Sequence, residues 1–193
     1  SSLGLEWVLI DFFLITNNQN VMKKPIYFLT FFSFFLSISI ASAQCPAGNI
    51  TLTTQAEVDA FAATYPGCAD LLGSLTIGPS TDIVDLNGLT NLDEITNSLA
   101  ITGNDNLIDM SGLNGLTSIG TALYILDNPN ITALPPFASL TNINSGHIQI
   151  IRNDLLTSID LSSVSAPNLV SIQVKSNDVL TSLALPPDIT TLS

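Results

Sequence analysis

The sequence predicts a mainly β chain of about five stacked 24-residue repeats, with one short helix on its N-terminal side. Three observations carry this. Short apolar-x-apolar units recur at Leu75-Thr76-Ile77, Leu99-Ala100-Ile101, Leu123-Tyr124-Ile125, Ile148-Gln149-Ile150 and Ile172-Gln173-Val174, separated by 24, 24, 25 and 24 residues. Five residues after the first apolar member stand Asn104, Asn128, Asn153 and Asn177, with Ser80 in the first slot. Thr54 and Glu57 form a capping-box pattern, followed by Val58, Phe61 and Ala62 at helical spacing until Pro66-Gly67 stops it.

Each apolar-x-apolar unit alternates its side chains in and out, which is the pattern of a short strand. A single repeat cannot bury its apolar edge alone. Stacking lets each strand pair with the next as a parallel ladder. The remaining columns then become apolar stripes inside the stack: Ile83, Leu107, Ile131, Leu156 and Leu180; Leu86, Met110, Leu134, Ile159 and Leu183; and the descending arm through Leu89, Leu113 and Phe137. The Asn column marks the turn after each strand, and each Asn is expected to bond its neighbours above and below. Ser162 to Ala166 breaks the pattern and is expected to hold the extra residue. The helix is expected to shield the edge of the first coil.

The chain of 193 residues carries 4 Lys+Arg against 16 Asp+Glu, a net charge of -12. Nucleic-acid binding is excluded, because phosphate neutralisation needs clustered basic residues. A hydrophobic share of 46% with 10% charged residues excludes a disordered chain. Asp105, Asp154 and Asp178 follow the Asn column and read as a solvated acidic edge; no metal and no cofactor is expected. No convergent polar constellation or catalytic motif occurs, so no enzyme is expected.

Residues 22–43 read as a signal peptide. Lys23 and Lys24 give the positive start, Ile26 to Ile40 the apolar core, and Ala41-Ser42-Ala43 the cleavage site. Residues 1–21 precede Met22 and are expected to be a non-native extension. The mature chain, residues 44–193, carries no further apolar span, and its expected location is secreted or at the cell surface. Cys45 and Cys68 are an even pair, which an oxidising compartment would bridge; two buried thiols are the alternative. No closing cap precedes Ser193. An open edge is expected there, left by truncation or available for edge-to-edge self-association.

Residues flanking the inward positions point outward from the strands. Three columns result: Ser74, Ser98, Ala122, His147 and Ser171; Thr76, Ala100, Tyr124, Gln149 and Gln173; Gly78, Thr102, Leu126, Ile151 and Lys175. Tyr124, Leu126 and Ile151 form an apolar patch beside His147, Gln149, Gln173 and Lys175, the expected ligand-binding face.

The unit Leu-Thr-Ser-Ile-Gly-x-x-Leu-x-Ile-x-x-Asn-x-x-Ile, Leu116 to Ile131, resembles the receptor L domain. That leucine-rich-repeat-like domain occurs in the insulin and epidermal growth factor receptors and in bacterial exported proteins. The opening is similar too: a Cys, a short helix, a second Cys, then Gly73-x-Leu75-x-Ile77. The resemblance spans Cys45 to Leu192. It implies a right-handed parallel β-helix or leucine-rich-repeat-like solenoid used for extracellular recognition, with an extracellular protein or glycan as partner. A spacer or adhesin stalk without a ligand site is the alternative. No cysteine follows Cys68, so growth-factor binding is not implied.

Overall fold

The structure, a computed structural model, describes residues 45–135, 139–144 and 146–189. The expected signal peptide, the upstream extension and Phe137 lie outside the described residues. The fold is mainly β, with parallel sheets and little helix. Strands β1 (Ile50–Leu52), β3 (Leu75–Ile77), β5 (Leu99–Thr102), β7 (Leu123–Leu126), β9 (Gly146–Ile151) and β11 (Leu169–Lys175) form one six-stranded sheet in that order. Every neighbouring pair is parallel, and the inward residues are in register: Leu75 faces Leu99, Leu99 faces Leu123 and Leu123 faces Ile148. Four two-residue strands form a second sheet: β2 (Asp70–Leu71), β4 (Glu94–Ile95), β6 (Ser118–Ile119) and β8 (Asn142–Ile143). Strands β10 (Ser158–Asp160) and β12 (Ser182–Ala184) pair separately.

The apolar core lies between these sheets and the 3-10 turns Asn87–Leu89 and Ser111–Leu113. Leucine and isoleucine from each expected column are fully buried in the central repeats, including Ile83, Leu107 and Ile131, and Leu89 and Leu113; Ile95, Ile119 and Ile143 are buried with them. The last repeat differs. Ile172, Val174 and Leu180 are half-buried, and Leu183 is exposed.

Helix α1 (Gln55–Thr64) starts as the capping box dictates. The Glu57 backbone N–H donates to Thr54 Oγ1 at 3.2 Å, and the Glu57 carboxylate accepts from the Thr53 and Thr54 N–H groups at 2.7 and 3.1 Å. Those donors, Thr53 first, hold the Glu57 carboxyl below the usual carboxylate range. Val58 and Phe61 are buried.

The helix shields the edge of the first coil on the side of its 3-10 turn, as expected, while a strand forms the edge of the sheet. Strand β1 is that edge, pairing Ile50 with Leu75 and Leu52 with Ile77. The helix lies against the turn Asn87–Leu89 of that coil. There Gln55 Oε1 accepts from the Val84 and Asp85 N–H groups at 2.7 and 3.1 Å. One repeat further on, the Val84 carbonyl accepts from the Ile108 and Asp109 N–H groups. A glutamine side chain thus substitutes for the carbonyl that a preceding repeat would supply.

The extra residue also sits elsewhere than expected. Ile119 faces Ile143 at a spacing of 24, whereas Leu123 faces Ile148 at 25, so it lies between Ile143 and Ile148. The segment between Ser158 and Ser165 runs two residues short, since Ala133 bridges Ser158 at 25. Asn142 bridges Ser165, and Gly146 faces Leu169, both at 23. A register shift between Leu169 and Ser171 restores 24, with Val170 left 72% exposed.

Cys45 and Cys68 form a disulfide across a sequence separation of 23, with Cα atoms 4.4 Å apart. Cys68 is fully buried. Cys45→Ala is expected to cost about 3 kcal/mol, the loop-closure entropy of a ring this size. Urea unfolding checks this, and the reduced wild type should lose the same amount.

Candidate functional site

The face is positioned by the ladder beneath it. Asn104, Asn128 and Asn153 are buried at the turn after each strand, and Asn177 is half-buried. Asn104 Nδ2 donates to Asn128 Oδ1 at 3.0 Å, Asn128 Nδ2 to Asn153 Oδ1 at 3.3 Å, and Asn153 Nδ2 to Asn177 Oδ1 at 3.2 Å. The same oxygens accept the backbone N–H of the preceding Asn at 3.2, 3.2 and 3.0 Å. Each Nδ2 also donates to a strand carbonyl of the repeat before, at Ile77, Ile101, Ile125 and Ile150. The ladder ends at Asn104, whose Oδ1 is buried without a partner. Ser80 fills the preceding slot and turns its hydroxyl to Asp82 at 2.6 Å instead.

With the turns fixed, the outward residues line up in rows across the sheet. Thr76, Ala100, Tyr124, Gln149 and Gln173 are in register, as are Thr102, Leu126, Ile151 and Lys175. Neighbouring members are about 4.8 Å apart, the spacing of hydrogen-bonded strands. Tyr124, Leu126, His147, Gln149, Ile151 and Gln173 are half-buried, and Lys175 is exposed. His147 pairs with Ser171 in register, and its Nδ1 lies 2.8 Å from Ser171 Oγ. Lys175 Nζ reaches Gln173 Oε1 at 3.5 Å. The strands lengthen from three residues in β3 to seven in β11, so the face is widest where these side chains stand.

Two residues leave the columns assigned from sequence. Gly78 is buried, because its missing side chain would point at the Thr102 carbonyl and Asn104 Oδ1. Ala122 is 3% exposed, packed where Gly146 crosses behind it. Alternation holds within a strand and fails at its ends, where the backbone turns.

A feature of the strand ends was not legible from residue types. Asp127, Arg152 and Ser176 adopt left-handed backbone at φ 56, 56 and 53°, in the column that begins at Gly103 with φ 66°. Only glycine takes that conformation without penalty. The spacing of 24 and 25 residues from Gly103 is the signal that could have found it. This geometry brings the Arg152 guanidinium onto the Asp127 carboxylate of the preceding repeat, through Nε and Nη2. The pair is half-exposed. Hydrogen bonding to Arg152, then its charge, holds the Asp127 carboxyl below its usual range and raises the guanidinium.

Chemically, the face presents a phenol ring, two amides, an imidazole, two aliphatic side chains and a cation. Asp105, Asp154 and Asp178 are exposed beside the turns. Among the described residues no group of three or more His, Cys, Asp or Glu could hold a metal. Among them, too, no helix is long and apolar enough to cross a membrane.

No curated protein and no solved structure matches the chain significantly. The family model of the receptor L domain matches residues 67–165, from the end of the disulfide loop through the segment Ser162 to Ser165. The match takes in the repeats that carry Tyr124, Leu126, His147, Gln149 and Ile151, and leaves α1 and β11 outside it. With just over half of its length matched, and with parallel strands in the 24-residue register that the repeats require, the chain belongs to the receptor L domain family.

Proposed function

We propose that this chain is an extracellular, non-catalytic recognition module. Its repeats wind as a right-handed solenoid of the parallel β-helix or leucine-rich-repeat kind. The outward face bearing Tyr124, Leu126, His147, Gln149, Ile151, Gln173 and Lys175 meets an extracellular protein or glycan. One observation carries the reading: an aromatic, amide and aliphatic set stands in two rows in register on the widest part of a sheet. Family membership supports ligand binding outside the cell. The Cys45–Cys68 disulfide supports export to an oxidising compartment through the signal at residues 22–43. The face offers contact groups and no convergent acid, base or nucleophile, so no bond-making step is assigned to it.

The test is a glycan and ectodomain binding screen with the wild type and a Tyr124→Asp/Ile151→Asp double variant. Both proteins should show the same circular dichroism. Charged groups in the middle of the face should weaken every wild-type signal by about tenfold or more, since buried unpaired charge at a contact is costly. Equal binding by both proteins removes the face, and insensitivity to any outward substitution favours a spacer or stalk.

A further inference from the structure

We propose that this chain pairs with a second copy of itself through strand β11, edge to edge and antiparallel about a two-fold axis, so that two six-stranded sheets join as one of twelve. Such a pair forms whether or not the outward face binds a ligand.

The layer that contains β11 is uncovered on one side. Ile148, Ile150 and Leu156 are fully buried, whereas Ile172, Val174 and Leu180, one repeat on, are half-buried. Leu183 is 45% exposed where Ile159 is buried. The backbone is open on the same side. In earlier strands the inward residues send their N–H groups to the next strand, Leu75 to the Ser98 carbonyl and Leu99 to the Ala122 carbonyl, both at 2.9 Å. The outward residues turn back, and the Lys175 carbonyl accepts from the Arg152 N–H of the strand before. The inward residues of β11 are Ile172 and Val174, and among the described residues no strand pairs with their side of it. A seven-residue edge with apolar side chains and open donors and acceptors is a template for another strand.

The same edge of a second copy fits it, and the N-terminal end of the stack does not. That end carries helix α1 over its 3-10 turn, with Glu57 and Asp59 exposed, so head-to-tail stacking brings a charged helix onto an apolar layer. Copies of a chain of net charge -12 repel unless they meet where acids are absent; β11 holds no Asp or Glu and ends on Lys175. Antiparallel pairing of Ile172 with the partner copy's Val174, and of Val174 with its Ile172, satisfies the open backbone groups and keeps apolar residues on the core side. This register also avoids the shift between Leu169 and Ser171. On the outward side it sets Gln173 directly against the partner's Gln173, where two amides bond each other, and Lys175 against its Ser171. A strand of seven residues is about 23 Å long and fronts an end layer about 20 Å deep with its outward side chains, so two ends bury on the order of 1,000 Å² in total, the lower end for a specific interface. Gln173 and Lys175 of both copies then share one continuous face.

Sedimentation velocity of the full chain should show a dimer at about 100 μM that dissociates on dilution, in keeping with an interface of this size. Gln173→Cys tests the register. The described residues hold no free cysteine, and a directly opposed, non-hydrogen-bonded pair has Cα atoms about 4.5 Å apart, within disulfide reach. Mild oxidation should cross-link this variant into dimers on a non-reducing gel, and should leave Thr76→Cys, in the same row on β3, as single chains. Gln173→Glu sets two like charges opposite each other and should weaken the dimer about tenfold or more. Its circular dichroism should be unchanged, because in the single chain the new carboxylate stands beside Lys175. A monomer at every concentration, with no cross-link, overturns the proposal. Dimers that form without cross-linking Gln173→Cys, or that ignore Gln173→Glu, lie on another surface and overturn it as well. Oligomers that lengthen with concentration overturn it in favour of head-to-tail stacking.

Discussion

Replacing Asn128 by Ala is expected to destabilise the protein by about 3–5 kcal/mol, because it strands several buried polar groups at once. Asn128 is fully buried. Its Nδ2 donates to Asn153 Oδ1 and to the Ile101 and Leu126 carbonyls, and its Oδ1 accepts from the N–H and Nδ2 of Asn104. Truncation removes these partners and leaves a void that water reaches only by opening the turn. Asn177→Ala should cost far less, about 1 kcal/mol, because its site is half-buried at the end of the ladder and water can replace the amide. Urea midpoints of the two variants, at unchanged slope, measure the difference. A cost for Asn128→Ala no larger than that for Asn177→Ala would show that the ladder is not what holds the repeats in register.

Gly112→Ala is expected to cost more than about 3 kcal/mol, through overpacking rather than backbone preference. The backbone of Gly112 does not adopt positive φ, so alanine is conformationally acceptable there. The added methyl would fall inside the van der Waals radius of the Leu86 carbonyl, which is backbone and cannot rotate away. Gly88 stands 24 residues earlier and meets the Val58 carbonyl of the helix in the same manner. The glycines therefore let one 3-10 turn settle on the layer before it. Gly115→Ala is the internal control. Its new methyl would find its nearest neighbours at 3.7 Å, so it should be tolerated or stabilise slightly. Thermal melts of the two alanine variants, three residues apart in sequence, should differ by at least about 6–12 degrees for a domain of this size. Equal melting temperatures would show that the layers are not in contact at Gly112.

Much of the architecture was legible because it is periodic. The apolar-x-apolar units, the buried leucine columns and the Asn column each state the same period of 24, and parallel pairing follows from it. The capping box was legible because two residues three apart make reciprocal bonds. Strand β1 was not, although Ile50-Thr51-Leu52 repeats the strand pattern 25 residues before Leu75. No Asn follows it, and the helix replaces the rest of that repeat. The second sheet escaped as well, since two-residue strands carry no alternation of their own. Of the face, the two rows were legible from strand alternation. Gly78 and Ala122 were misplaced, because alternation says nothing once the backbone turns.

The sequence by itself determined the repeat, the inward and outward residues within each strand, the Asn ladder and the pair of cysteines that bridge. These are properties of spacing along the chain, and spacing survives without coordinates. Tertiary structure alone decided where the extra residue lies, that the Gln55 side chain substitutes for a missing carbonyl, and that Arg152 meets Asp127 through left-handed backbone. It also decided that Arg152 and Lys175 are joined at one margin of the sheet. Each of these depends on what a residue meets in the neighbouring layer, and periodicity fixes only the distance to that layer along the chain.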